Sequence, residues 1–278
     1  MRRWLTSWSI LALVSAAFFA ASAAGQRISL SPADWPKGEY EQFLKVQETD
    51  HDQAGIAVGR YGAVTVAGNG LAARAGLEAL KQGGNAIDAA MTTALTQVAL
   101  TAGAPISYFG IMSLVYYDAA SGKVSTMNAQ ELWERMKKGA VPFHMAEGPK
   151  HSDNVVCIDK AGKPVLGFAS MGSGLHQRTF QCLFGFMRFG WTVDQAIDSP
   201  DFFAPTVDPK TTLGIVNVPK GRFPEAVLKG MGYAYEEIVP GEARVTGEGL
   251  WVAISRDPKT GDLRAASSNR HNSAAVAY

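Results

Sequence analysis

The sequence carries little charge of either sign. Charged residues make up 18% of its 278 positions, and the formal net charge is only +1. No run of Lys and Arg exceeds two residues. The sequence therefore gives no indication of a basic surface that would bind nucleic acid or anionic lipid. We therefore exclude nucleic-acid-binding and polybasic membrane-binding proteins as predicted function classes.

Cysteine is also scarce. The two cysteines, Cys157 and Cys182, are too few for a disulfide framework. Cys157 lies in an apolar strand pattern and Cys182 in an amphipathic helix pattern, so we expect both to act as small hydrophobic residues. A disulfide between them stays open as the lesser alternative, because the sequence does not fix the separation of their Cα atoms.

A long hydrophobic run is missing as well. The apolar stretch over residues 10–21 is shorter than the roughly 20 residues of a membrane-spanning helix. It follows Arg2 and Arg3 and leads into Ala21-Ser22-Ala23, the small residues that a signal peptidase accepts. We predict that residues 1–24 are a cleaved signal peptide, that the protein is secreted or periplasmic, and that it has no stable membrane span.

The remaining composition is that of a globular enzyme. Hydrophobic residues make up 47% of the chain and glycine accounts for 29 positions, which suits a compact, turn-rich body with one core. Residues 25–60 are polar and lack clear periodicity, so we predict an extended N-terminal arm. We predict one domain over residues 61–278.

Hydrophobic periodicity predicts helices and strands in blocks. The predicted helices cover residues 71–81, 86–100, 131–138, 178–189, 193–197 and 223–230. The predicted strands cover residues 62–67, 110–118, 123–127, 154–159, 164–169, 251–255, 264–267 and 274–278. Blocks of this kind favour an α+β fold over a doubly wound sheet. The aromatic residues between Phe180 and Trp191 are interpreted as core.

Four segments, in this order, resemble γ-glutamyltranspeptidases. They are Gly83–Ala90 (GGNAIDAA), Leu114–Lys123 (LVYYDAASGK), the motifs between Gly162 and Pro200, and Asn269–Tyr278. The third contains Gly162-Lys163-Pro164, Ser170-Met171-Gly172-Ser173 and Ala196–Pro200. Together the four segments touch most of the chain after the predicted signal peptide.

The resemblance implies a fold and an activity. The implied fold is a four-layer α-β-β-α sandwich of the N-terminal-nucleophile hydrolase type, shortened relative to typical members. The implied activity is transfer or hydrolysis of γ-glutamyl groups on glutathione-like amides after autocatalytic cleavage, and the cleaved fragments could stay associated. The implied partner is a small γ-glutamyl or related amide substrate, and no cofactor is implied.

The nucleophile implied by the resemblance is Ser152, in the segment Lys150–Asp159 (KHSDNVVCID). It occupies the position of the family's Thr, and cleavage between His151 and Ser152 would free an α-amino group to act as its base. Two alternatives remain open. His151 and Ser152 can instead match the family's paired-Ser segment, which leaves no nucleophile, or Ser152 can simply cap the turn before a strand.

Four further residues receive roles from the resemblance. Gly172 and Ser173 match the family's Gly-Gly pair, whose two backbone N–H groups form an oxyanion hole. They can also be read as a loop-to-helix turn. Asn154 takes the position of the family's His, and Gln130 stands where the family has an Arg, which weakens recognition of an α-carboxylate. The alternative function is a catalytically inactive relative that binds a small molecule or a protein.

The sequence contains no recognisable metal-binding or nucleotide-binding motif. The histidines show no metal-ligand spacing with each other or with the cysteines. Gly68-Asn69-Gly70 lacks the remainder of a dinucleotide fingerprint and has no following Lys of a phosphate-binding loop. We therefore expect neither a metal nor a nucleotide cofactor.

Overall fold

The structure is a computed structural model. It describes residues 31–47, 55–100, 113–128, 152–171, 175–207, 210, 214–239, 249–268 and 273–278. The chain divides into one unit over residues 1–35 and another over residues 36–278. The described part of the first unit contains one 3-10 turn, Pro32–Asp34, in which the amide of Asp34 donates to the carbonyl of Ser31 over 3.0 Å.

The second unit contains helices and strands in blocks. Its described helices are α1 (Glu39–Gln47), α2 (Gly70–Lys81), α3 (Ala86–Leu100), α4 (Leu175–Phe189), α5 (Val193–Asp198) and α6 (Glu225–Gly230). Its described strands are β1 (Gly55–Gly59), β2 (Ala63–Val66), β3 (Ser113–Asp118), β4 (Lys123–Asn128), β5 (Ser152–Ile158), β6 (Pro164–Met171), β7 (Phe203–Val207), β8 (Gly214–Pro219), β9 (Tyr235–Ile238), β10 (Leu250–Arg256), β11 (Leu263–Ser267) and β12 (Ala274–Ala277). This mixture agrees with the predicted α+β class.

The largest sheet has five antiparallel strands in the order β1-β11-β10-β6-β5. Strand β10 is central, and its first four residues are all buried, as expected for a strand covered on both faces. One face of the sheet packs against α4 and α5. The core there is formed by Leu166, Phe168, Cys182, Val193, Ala196, Ile197, Trp251, Ala253 and Ala266.

The other face of this sheet meets the two-stranded sheet β12-β2. Small residues let the two sheets approach closely: a Cβ atom added at Gly59 on β1 would lie 2.8 Å from the Cβ atom of Ala277 on β12. The hydroxyl of Thr65 donates to the carbonyl of Ala266 over 2.9 Å, which links β2 to β11. Helix α2 covers β2 and β12, with Val64, Val66, Ala73, Leu77, Ala89 and Ala274 as the core.

Helices α2 and α3 pack closely at a glycine. A Cβ atom at Gly76 would lie 2.1 Å from the Oγ1 atom of Thr93 and 2.9 Å from the carbonyl oxygen of Ala89. Asn69 is the N-cap of α2, and its side chain accepts a hydrogen bond from the amide of Leu71. A larger residue at Gly76 would therefore separate the two helices.

Many predicted elements are confirmed. The predicted helices over residues 71–81, 86–100 and 193–197 match α2, α3 and α5 within a residue, and 178–189 lies within α4. The hairpins β3-β4, β5-β6 and β10-β11 and the last strand, β12, are also present. The predicted helix over 131–138 lies outside the described residues.

The prediction of an extended arm over residues 25–60 is wrong for its described part. Residues 39–47 form helix α1, and residues 55–59 form β1, which pairs with β11. Helix α1 is held to α2 because the guanidinium of Arg74 pairs with the carboxylate of Glu39, with an Nε–Oε1 distance of 3.1 Å. Tertiary contacts, which local polarity does not reveal, thus order this segment.

Two side-chain predictions also have clear outcomes. Both cysteines are free, so the disulfide alternative is wrong and the interpretation as small hydrophobic residues is confirmed. The prediction that the aromatic residues of α4 are core is wrong for Phe180, Phe184 and Phe189, which are exposed. A helix buries one stripe, and in α4 that stripe runs through Cys182 and its neighbours.

Candidate functional site

The candidate site lies at one end of the five-stranded sheet. Ser152 is the first residue of β5, and its register partner on β6 is Met171. Met171 in turn pairs with Leu250, the first residue of β10. The backbone of Ser152 therefore lies where three neighbouring strands begin or end.

The predicted oxyanion residues follow this point directly in the chain. Gly172 and Ser173 come after Met171 and before α4, which begins at Leu175; both lie outside the described residues. Ser152 is the register partner of Met171, the residue directly before Gly172 in the chain.

The two predicted substrate-binding residues differ in what the structure says of them. Asn154 lies on β5, two residues after Ser152, and its register partner is Ala169. Gln130 lies outside the described residues. The last described residue before it is Asn128, at the end of β4.

A buried pair of hydroxyl groups joins β6 to α4 beside this point. The hydroxyl of Thr179 donates to the Oγ atom of Ser170 over 2.8 Å, and both residues are buried. The backbone register partners of Ser170 are Asp153 on β5 and Trp251 on β10. The pair therefore ties together the elements on both sides of residues 172–174. The sequence pattern alone does not reveal this pair, although Ser170 belongs to one of the motifs that carry the family resemblance.

Arg178 links the first turn of α4 to the C-terminal end of α5. It is buried, and its guanidinium donates to the carbonyls of Ile197 and Ser199 and to the side chain of Gln181. These carbonyls lie at the C-terminal end of α5, where unpaired carbonyl groups favour a cation. Helix α4 is thus held between the sheet and the end of α5.

The hairpin β3-β4 lies beside β5. The hydroxyl of Tyr117 donates to the carbonyl of Gly162, in the turn between β5 and β6. This contact places the closed end of the hairpin, near Asp118 and Lys123, at the turn. Its open end, which leads to residue 130, is the end further from that turn.

Neither described thiol is activated as a nucleophile. Burial raises the pKa of Cys157, and burial, as the main cause, raises the pKa of Cys182 to about 11. Since a thiolate is the reactive form, both groups are protonated near neutral pH.

The described residues provide neither a metal-binding cluster nor a membrane-spanning helix. They contain no group of three or more His, Cys, Asp or Glu side chains that could hold a metal ion. No helix among them is both long enough and apolar enough to cross a membrane.

Comparisons with known proteins give matches at the level of structure. No family model matches the sequence, and no curated protein matches it. A mutant γ-glutamyltranspeptidase of Helicobacter pylori has 14% identity and a TM-score of 0.37, over 57% of this chain and 99% of that one.

Two further solved structures are similar in the same range. The transpeptidase CapD of Bacillus anthracis has 16% identity and a TM-score of 0.36, over 58% of this chain and 95% of that one. A cephalosporin acylase of Bacillus halodurans has 24% identity and a TM-score of 0.33, over 42% of this chain and 20% of that one.

Proposed function

We propose that this chain is an exported enzyme that transfers or hydrolyses γ-glutamyl amides, with Ser152 as an autocatalytically exposed nucleophile. One observation carries the proposal: Ser152 opens β5 and pairs with Met171, the residue directly before Gly172 and Ser173. This pairing supports the proposal, because Ser152 and Met171 are far apart in the chain but are register partners in the sheet.

The proposed fold is the four-layer α-β-β-α sandwich. Its support is the sequence of contacts already described. Helices α4 and α5 pack on one face of the five-stranded sheet, the sheet β12-β2 packs on its other face, and α2 covers β12-β2. Residues 61–278, together with β1, which pairs with β11 in the same sheet, would form this domain, preceded by a signal peptide over residues 1–24.

Self-cleavage would convert an unreactive amide into the catalytic base. In the proposed step, the Oγ atom of Ser152 attacks the carbonyl carbon of His151, and the peptide bond becomes an ester. Water hydrolyses that ester, which leaves a carboxylate on His151 and a free α-amino group on Ser152. The amine can then accept the proton of the Ser152 hydroxyl during attack on a substrate.

The catalytic cycle would proceed through an acyl-enzyme. The hydroxyl of Ser152 attacks the γ-carbonyl carbon of the substrate, and the developing negative charge is met by the backbone N–H groups of Gly172 and Ser173. The amine of the substrate leaves with a proton from the α-amino group. Water or an acceptor amine then takes the γ-glutamyl group from Ser152.

Asn154 and Gln130 are proposed to bind the substrate. Asn154 is two residues from Ser152 on the same strand. Gln130 follows the open end of the hairpin β3-β4, whose closed end is anchored at Gly162 and whose strand β3 runs beside β5. A neutral amide at residue 130 can accept or donate single hydrogen bonds but lacks the bidentate, charged contact of Arg. We therefore expect a weaker preference for the free α-carboxylate than an Arg would give.

The experiment is the intact mass and N-terminal sequence of the purified protein, followed by assays with γ-glutamyl anilides. We expect two fragments, the second beginning at Ser152. Ser152→Ala removes the hydroxyl and should leave one uncleaved chain without activity. Ser152→Thr keeps a hydroxyl and should retain cleavage.

A matched control is Ser125→Ala, which removes a hydroxyl from the exposed strand β4. It should cleave like the original protein. A chain that stays whole, with Ser152→Ala indistinguishable from it, would overturn the enzymatic proposal. The inactive binding protein would then be the better account, consistent with the uncharged residue at position 130.

A further inference from the structure

Helix α4 presents an apolar face that nothing in the described structure covers. The exposed fractions are 66% for Phe180, 45% for Phe184, 73% for Met187 and 60% for Phe189. Phe180, Phe184 and Met187 follow the i, i+4, i+7 spacing of one helical stripe. This stripe is distinct from the buried one, which contains Thr179 and Cys182.

The rings on this face contact each other in series. The ring centroids of Phe180 and Phe184 are 5.7 Å apart and nearly parallel, and those of Phe184 and Phe189 are 5.3 Å apart and nearly perpendicular. Phe189 also lies 5.5 Å from Trp191, which packs against the core. A face already ordered in this way loses little side-chain entropy when a partner covers it.

The area of the face suits a dimer interface. If each side chain offers about 200 Å², the exposed fractions leave about 500 Å² of apolar surface on four residues. A specific interface covers about 800 Å² per partner, and about 65% of its core is apolar. The apolar area of this face is therefore close to the apolar area that one partner of a stable dimer buries. Charged residues make up only 18% of the chain.

We propose that this face is a homodimer interface in which α4 packs antiparallel against α4 of a second copy. A two-fold axis through Phe184 makes the contact self-complementary. Residues equally spaced on the two sides of Phe184 then face each other, so Phe180 meets Arg188 of the second copy. A guanidinium over an aromatic ring is a favourable pair, and α4 contains no acidic residue that would compete for it.

The arrangement involves neither Ser152 nor the buried hydroxyl pair of Ser170 and Thr179, so it does not rest on the proposed activity. Its test is sedimentation equilibrium of the purified full-length protein over a range of concentrations. We expect a dimer at micromolar concentration. Phe184→Glu puts two carboxylates together on the axis and should raise the dissociation constant at least about 30-fold, as expected for a central interface residue.

Val227→Glu is the matched control, because Val227 is 50% exposed on α6, outside the proposed interface. It should leave the dimer intact. The melting temperature of both variants shows that they are folded. A monomer at all concentrations would overturn the proposal, and so would a dimer that Phe184→Glu leaves unchanged.

A cross-linking experiment tests the orientation independently. In a Cys157→Ser background, Phe184→Cys should give a covalent dimer with a short bismaleimide, because the two copies of this residue meet on the axis. Val227→Cys in the same background should give none. Efficient cross-linking through Val227→Cys together with none through Phe184→Cys would refute the proposed interface.

Discussion

Replacing Arg178 by Met tests how strongly α4 is held against the end of α5. The apolar stem of Met keeps much of the packing of the Arg side chain, but the hydrogen bonds to the carbonyls of Ile197 and Ser199 and to the side chain of Gln181 are lost. The bond to Ile197 is buried and that to Ser199 is part-buried. The substitution therefore isolates the polar contribution.

The expected magnitude follows from the two carbonyls. An unpaired buried polar group costs about 1–3 kcal/mol, and the part-buried one recovers some hydration. Arg178→Met should thus lower the free energy of unfolding by about 3 kcal/mol, out of a typical 5–15 kcal/mol. For a chain of this size, that corresponds to a fall in melting temperature of about 6–12 °C.

The assay is urea unfolding followed by far-UV circular dichroism. Arg178→Lys keeps the charge but has a single ammonium group for two carbonyls, so it should fall between the original protein and Arg178→Met. Arg60→Met removes an exposed Arg and should change the free energy of unfolding by less than about 0.5 kcal/mol. If Arg178→Met is as stable as Arg60→Met, Arg178 does not stabilise the end of α5 as the contacts imply.

Two other predictions concern titratable groups. Burial would raise the pKa of Asp194, but hydrogen bonds from Arg264 and Thr192 outweigh it and lower the pKa below its usual value. The contribution of this carboxylate is therefore present above its unfolded-state pKa and lost as the pH falls through its folded-state pKa. In Asp194→Asn, the melting temperature should therefore fall less steeply as the pH is lowered. An equally steep fall in the variant would contradict this role of Asp194. Iodoacetamide should modify Cys157 well before the buried Cys182, whose pKa is raised to about 11; equal rates by mass spectrometry would refute that order.

The sequence predicts the elements whose local pattern is strong. Helix α5 has a full capping box between Thr192 and Gln195, and its predicted limits are nearly correct. The hairpin β10-β11 was recognisable from the turn over Asp257 and Gly261. Short strands were missed: β7 contains Pro205, and β9 has four residues, of which two are exposed Glu.

The candidate site shows the same division between local and long-range information. Ser152 can be singled out from the motif around it, but its pairing with Met171 depends on the register of the hairpin β5-β6. The hydrogen bond between Thr179 and Ser170 joins a helix to a strand, and no sequence spacing encodes it. The exposure of Phe184 was not predictable because apolar residues lie on several faces of α4, and only the packing decides which face is buried.

Helix α4 connects the two proposals through different faces. Its buried stripe includes Arg178 and Thr179 and fixes the helix that follows the proposed oxyanion residues. Its exposed stripe, centred on Phe184, is proposed to form the dimer. Because the two stripes share no side chain, Phe184→Glu should dissociate the dimer and leave cleavage before Ser152 unchanged. If it abolished both in a folded protein, the second copy would be needed to organise the catalytic site, and the activity would belong to the dimer alone.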